Sequence, residues 1–130
     1  MSEPVLDASA ILAFLLEEPG QEVVAEVLEQ GSGVVSAVNL SETAAKLAET
    51  GMSREEVKEV LRELDLQVYA FDETQAIECA WLREPTRAAG LSLGDRACLA
   101  LAKHLSRPVL TTDRNWASLS LGVTVQLARS

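Results

Sequence analysis

The 130-residue chain has one histidine, His104, and only two cysteines, Cys79 and Cys98, which belong to no C-x-x-C pattern. Those shortages exclude a zinc finger, a disulfide scaffold and any mechanism built on two histidines. Aromatic residues are scarce at 4%, whereas hydrophobic residues reach 48% with Leu, Ala and Val in the lead. That mix is too apolar for intrinsic disorder, and it suits helices packed on a buried sheet better than a β-sandwich. Long hydrophobic runs are missing too. Ala8 to Leu16 is nine apolar or small residues, too short to span a bilayer. The residues before it, Met1-Ser2-Glu3-Pro4 and Asp7, carry no positive charge, which makes the run a poor signal peptide. A reducing cytoplasmic setting without a membrane is the expectation. Positive charge is in deficit as well, with 11 Lys and Arg against 20 Asp and Glu and a net charge of −9. Binding nucleic acid by bulk charge is therefore disfavoured. The deficit is local: residues 1–65 hold 14 acids and 4 bases, residues 66–130 hold 6 acids and 7 bases.

The length suits a single domain over residues 1–130 with one core and no staples. Short apolar runs alternate with helical patterns, the signature of an α/β fold with a mostly parallel sheet. The strands read as Val5-Leu6, Val34-Val35, Leu66–Phe71, Val109–Thr111 after Arg107-Pro108, and Val123–Leu127. Helices are expected at about 9–17, 21–30, 40–50, 54–64, 73–83 and 93–105. Pro85 interrupts one of them, one more turn reaches Ala89, and a short helix lies near Trp116. Val23, Val24, Val27 and Leu28 form the expected buried stripe of the second helix, and Leu40, Ala44, Leu47 and Ala48 that of the third. Ser53 with Glu56 is a capping box. Asp72 with Gln75 and Ser92 with Asp95 are further cap pairs, and Gly51 and Gly90 close helices. Ala97 to Ala102 is apolar all round, so that helix is expected to be buried.

The five aspartates fall at element ends, whereas most of the 15 glutamates fall on helical faces. Asp7 and Asp113 directly follow strands, at the end of an open α/β sheet where ligands collect. Glu42 and Asp95 lie near the starts of helices at the same end. Each has a plain structural alternative. Asp95 suits a helix N-terminus, worth ~0.3–1 kcal/mol. Glu42 stands four residues before Lys46, the spacing of a helix ion pair. Asp113 can form an Asx turn with Asn115. Asp7 is the hardest to explain this way, because its charge faces an apolar wall, Ala8-Ser9-Ala10-Ile11-Leu12. If the four acids converge, they repel one another and need a cation among them. With oxygen ligands only, that cation is hard, Mg²⁺ or Mn²⁺, the apparatus of phosphodiester hydrolysis. Ser9, Asn39, Thr111 and Thr112 are placed to orient ligands or waters.

Four segments carry a resemblance: Val5-Leu6-Asp7-Ala8-Ser9-Ala10, Asn39-Leu40-Ser41-Glu42, Gly90-Leu91-Ser92-Leu93-Gly94-Asp95-Arg96-Ala97 and Thr111-Thr112-Asp113-Arg114-Asn115-Trp116. In this order and at this length the chain closely resembles the PIN-domain ribonucleases, specifically the VapC toxins of bacterial toxin–antitoxin pairs. The resemblance implies a three-layer α/β/α fold with a five-stranded sheet, Mg²⁺ or Mn²⁺ dependence and endoribonuclease activity. It also implies a homodimer and a cognate VapB-type antitoxin. The family's acids map onto Asp7, Glu42, Asp95 and Asp113, and its hydroxyl residue near the last acid onto Thr111.

Other acid-rich folds fit less well. A receiver domain wants paired acids after its first strand, where Leu6 precedes Asp7. A haloacid-dehalogenase phosphatase wants Asp-x-Asp, where Asp7-Ala8-Ser9 stands. An integrin-like metal site wants a serine at the position of Ile11. The remaining rival is a PIN fold kept as an inactive binding module. Arg87, Arg96 and Arg114 flank the site in sequence and are candidates for RNA phosphates, with a solvated face as the alternative. Cys79 and Cys98 read as small core residues, His104 as a surface residue near a helix end, and Trp81 and Trp116 as packing residues rather than base platforms. The expected antitoxin contact is an apolar segment in a groove beside the first helices. A basic side chain of that segment would stand among the acids, drawn by the negative N-terminal half. Weak Mg²⁺ or Mn²⁺ binding, no structural zinc and a metal-free fold that stays intact complete the expectations.

Overall fold

The computed structural model describes residues 3–31 and 33–129. Met1 and Ser2, part of the signal-peptide reading, lie outside them. Five strands form one sheet: β1 (Val5–Leu6), β2 (Val34–Ser36), β3 (Gln67–Tyr69), β4 (Val109–Thr111) and β5 (Val125–Leu127). Their order is β3-β2-β1-β4-β5, and every neighbouring pair is parallel. The first strand is thus central. The chain builds outward from it to one side, then returns to its other edge with β4.

Register and alternation sort the core into two layers. Val5 pairs with Val34 and Val109, and all three face one cluster with Cys79, Leu99, Leu101 and Trp116. Leu6, Val35 and Leu110 face the other, with Ala10, Ile11, Val24 and Leu64. The second layer is covered by α1 (Ala8–Leu15), α2 (Gln21–Glu29) and α4 (Arg54–Glu63). The first is covered by α7 (Leu93–Leu105), on which α5 (Glu73–Trp81) packs. This is the expected α/β/α arrangement. Residues Ala97 to Ala102 of α7 are buried without exception, as their apolar continuity predicts. Between α5 and α7, α6 (Arg83–Thr86) runs into a 3₁₀ turn ending at Gly90, whose φ of +70° suits a residue without a Cβ. No helix among the described residues is long and apolar enough to cross a membrane.

Three local readings need correction. The helix α3 spans Ala37–Glu49, starting before Leu40 because the Ser36 hydroxyl caps it by accepting from the Val38 N–H. Its buried positions are Asn39, Thr43 and Leu47; Leu40 and Ala44 are half-buried and Ala48 is exposed. The inner face tolerates polar residues because their groups are paired there: Thr43 Oγ1 donates to the Asn39 carbonyl at 2.8 Å. On α2 only Val24 is fully buried and Val23 is exposed, because α2 packs chiefly on α1 and a narrow stripe suffices. Trp81 is 75% exposed while Trp116 is fully buried. Gln75, Cys79 and Leu82 take the inner side of the α5 segment and leave Ile77 and Trp81 outside.

Candidate active site

The site lies where the strand order reverses, between the carboxyl ends of β1 and β4, the usual crevice of such sheets. Asp7 follows β1 and caps α1. Its Oδ1 accepts from the Ala10 N–H at 2.9 Å and the Ser9 hydroxyl at 2.8 Å. Its Oδ2 accepts from Thr111 Oγ1 at 2.6 Å. The Ser9 hydroxyl in turn accepts from the Thr112 N–H, and Thr111 Oγ1 from the Asp113 N–H, at 3.0 and 3.1 Å. These bonds stitch the two strand ends together. Asp7 is almost wholly buried, and burial pushes its carboxyl up to about 6. The hydrogen bonds from Thr111, Ala10 and Ser9 pull it down, and the charge of Asp95 pushes it up.

Glu42 projects from α3. The alternative ion pair with Lys46 does not form; Lys46 pairs with Glu49 at 3.6 Å, and these two solvent-exposed side chains line the same pocket as Glu42. Glu42 Oε1 instead accepts from Asn39 Nδ2 at 3.0 Å, and the same amide nitrogen donates to the Gly94 carbonyl at 3.0 Å. The Glu42 carboxylate lies against the bare α-carbon of Gly94, where a Cβ would collide with it. Asp95, next along α7, completes a reciprocal capping box. Its Oδ2 accepts from the Ser92 N–H at 2.9 Å, and the Ser92 hydroxyl accepts from the Asp95 N–H at 3.2 Å. Asp113 caps the 3₁₀ turn Arg114–Ser118 by accepting from the Asn115 N–H at 3.0 Å, the expected Asx arrangement.

Capping and clustering are therefore not rivals here. Asp7, Glu42, Asp95 and Asp113 all line one pocket of about 430 Å³, with Leu12 and Ala45 on its apolar side. Cys98, one turn beyond Asp95, senses the gathering. Its buried thiol is pushed well above the ordinary range, by burial first and then by the charges of Asp7, Asp95 and Glu42. The helices α1 and α7 both begin at the pocket, so their positive ends partly offset its charge. No three His, Cys, Asp or Glu side chains among the described residues are close enough, as they stand, to enclose one ion. The donors are nonetheless all oxygen, and one carboxyl is desolvated. That chemistry fits a hard divalent cation that keeps several of its waters, as Mg²⁺ does.

The arginines separate. Arg96 turns to α5 and donates to the Cys79 carbonyl at 3.1 Å. Arg87 pairs on the surface with Glu84 at 3.2 Å. Arg114 instead lines a second hollow of about 610 Å³ that shares Ser9 and Asp113 with the acidic pocket. Arg129 lines it too, with one guanidinium nitrogen donating to the Pro19 carbonyl at 3.0 Å. Nothing in the sequence points to Arg129, which belongs to no motif and reaches the hollow only because β5 lies beside β4. His104 is exposed and Cys79 and Cys98 are buried, as expected.

Comparison with known proteins agrees with this architecture. The family described as PIN domain matches residues 5–120. No curated protein sequence matches. Among solved structures, a DNA-bound VapBC from Salmonella typhimurium superposes with a TM-score of 0.74 at 19% identity, over 98% of this chain and 99% of that one. FitAcB from Neisseria gonorrhoeae gives 0.68 at 23% identity, over 95% and 96%. A toxin–antitoxin complex from Klebsiella pneumoniae gives 0.73 at 15% identity, over 96% and 97%. At these identities the structures establish a shared fold.

Proposed function

This chain belongs to the PIN-domain family, and from that premise we propose that it is a Mg²⁺- or Mn²⁺-dependent endoribonuclease. It is the toxin of a VapBC-type pair, hydrolysing RNA phosphodiester bonds and so arresting translation and growth. The observation that carries this reading is the meeting of four carboxylates from four separate elements in one pocket at the switch point of the sheet.

In this reading Asp7, Glu42, Asp95 and Asp113 hold the ion. When bound, the ion supplies Lewis acidity and neutralises charge developing on the phosphodiester. The other work falls to the chain's own groups. Ser9 and Thr111 fix the rotamer of Asp7 and keep its two oxygens distinct. Asn39 fixes Glu42. Arg114 and Arg129, across the shared wall of the second hollow, take phosphates of the bound strand. Of the arginines flagged by position, Arg114 suits that role best, since of the three it is the one that lines the hollow.

An antitoxin belongs to the same reading. Leu12 and Ala45 give the acidic pocket an apolar flank, fit for an apolar peptide that also brings a cation to the acids. The solved complexes of similar fold support such a partner. A homodimer is proposed as well, with Ile77 and Trp81, exposed one turn apart on α5, as apolar surface for it.

The test is cleavage of RNA by purified protein in Mg²⁺ and in chelator, beside Asp7→Asn. The wild type should cut only with the ion. The variant should lose at least about 100-fold, since losing a group that merely orients a ligand already costs about 10–100-fold at such sites. Cleavage that survives the chelator or the substitution overturns the mechanism. A wild type that binds RNA without cutting it returns the chain to the inactive binding module.

A further inference from the structure

Gly94 is the second residue of α7, in a stretch where glycine weakens a helix. Its φ lies outside the left-handed region and makes no demand for glycine. What does require it is the Glu42 carboxylate, which occupies the space a Cβ would take. The atoms in the way are the far end of a flexible side chain, not backbone. A larger residue at 94 would therefore evict Glu42 rather than push α3 from α7.

Asn39 completes the seat. Its two amide hydrogens go to Glu42 Oε1 and to the Gly94 carbonyl. Both are proton-free acceptors, so the amide has only one workable orientation. That orientation leaves Oδ1 buried with no hydrogen-bond partner among the described residues, a loss the fold would avoid with an apolar residue there. A helix glycine without a backbone reason and a buried amide with an orphan oxygen meet at one carboxylate. We propose that Gly94 and Asn39 are positioning residues for Glu42, forming a seat between α3 and α7 that aims its carboxylate into the acidic pocket. The inference rests on reading that pocket as a cation site.

The experiment compares wild type, Gly94→Ala, Glu42→Ala and the double variant by Mn²⁺ titration and by thermal melts in chelator. Gly94→Ala should melt higher than wild type, because alanine restricts the unfolded chain. It should nevertheless bind Mn²⁺ at least about tenfold more weakly, near the level of Glu42→Ala. The double variant should lose nothing further. Wild-type affinity in Gly94→Ala overturns the proposal. So does a lowered melting temperature in both Gly94→Ala proteins, which would make the glycine a packing requirement. If the wild type binds no Mn²⁺, the cation reading fails by itself, and the melts still judge the seat. A larger gain from Gly94→Ala when Glu42 is absent than when it is present supports the seat, and equal gains overturn it.

Discussion

Asp7 performs three tasks with one carboxyl: it caps α1, ties β1 to β4 through Thr111, and forms the buried wall of the acidic pocket. Its acidity links those tasks to stability. The folded-state pKa of about 6 lies above the unfolded value of 3.8. Its contribution is therefore fully present below the unfolded value and is lost as pH rises through the folded one. Raising the carboxyl from 3.8 to about 6 corresponds to roughly 3 kcal/mol, at about 1.36 kcal/mol for each tenfold change in proton affinity. Metal-free protein should thus gain stability relative to Asp7→Asn as pH falls from about 7 to about 4. Denaturant melts of both proteins across that window check it, and a constant difference would refute it. Thr111→Val removes the shortest bond to Asp7. It should raise the carboxyl's pKa further and weaken Mn²⁺ by about 10–100-fold, measurable by titration, with the fold retained.

At the scale of elements, two capping boxes offer a controlled comparison. Ser53 with Glu56 opens α4, and Ser92 with Asp95 opens α7. Alanine at either serine should cost about 1 kcal/mol. Only Ser92→Ala should also weaken Mn²⁺, because only that first turn carries Gly94 and Asp95; melts and titrations of the pair decide. Elements are also where the sequence is most and least legible. The α7 boundaries, 93–105, follow directly from the Ser92 cap and an unbroken apolar stretch. The buried face of α3 does not follow from hydropathy. Asn39 and Thr43 are polar, and their burial is made tolerable by partners 4 and 55 residues away. The acids are legible as strand-end and helix-start positions. Their convergence depends on the strand order, which periodicity does not encode. Spacing points Glu42 at Lys46, yet each takes a partner three residues away on the same helix, Asn39 for Glu42 and Glu49 for Lys46. What spacing along α3 does not register is α7, whose Gly94 lies against the Glu42 carboxylate.

For the whole molecule, the net charge of −9 sets the kind of nucleic-acid contact available. Arg114 and Arg129 are the arginines of the hollow beside the acids. Two phosphate contacts to a single strand give a salt slope of about −1.4, against steeper values for basic binders. Titrating Asp7→Asn protein, which the proposed mechanism makes inactive, with RNA at several salt concentrations measures it. A slope of twice that size would point to a wider cationic surface than the monomer presents.

The hydrogen bond from Thr111 to Asp7 joins residues 104 positions apart. On a ribosome the strand made first must wait for the fourth before its open edge is covered. At about 5–20 residues per second that interval lasts roughly 5–20 s. Throughout it the pocket lacks Asp113, and Asp7 lacks the hydroxyl of Thr111. Until β4 has emerged the four acids cannot all meet, and a cut near Gly90 parts Asp7 and Glu42 from Asp95 and Asp113. The pocket is completed late in synthesis, when β4 closes on β1.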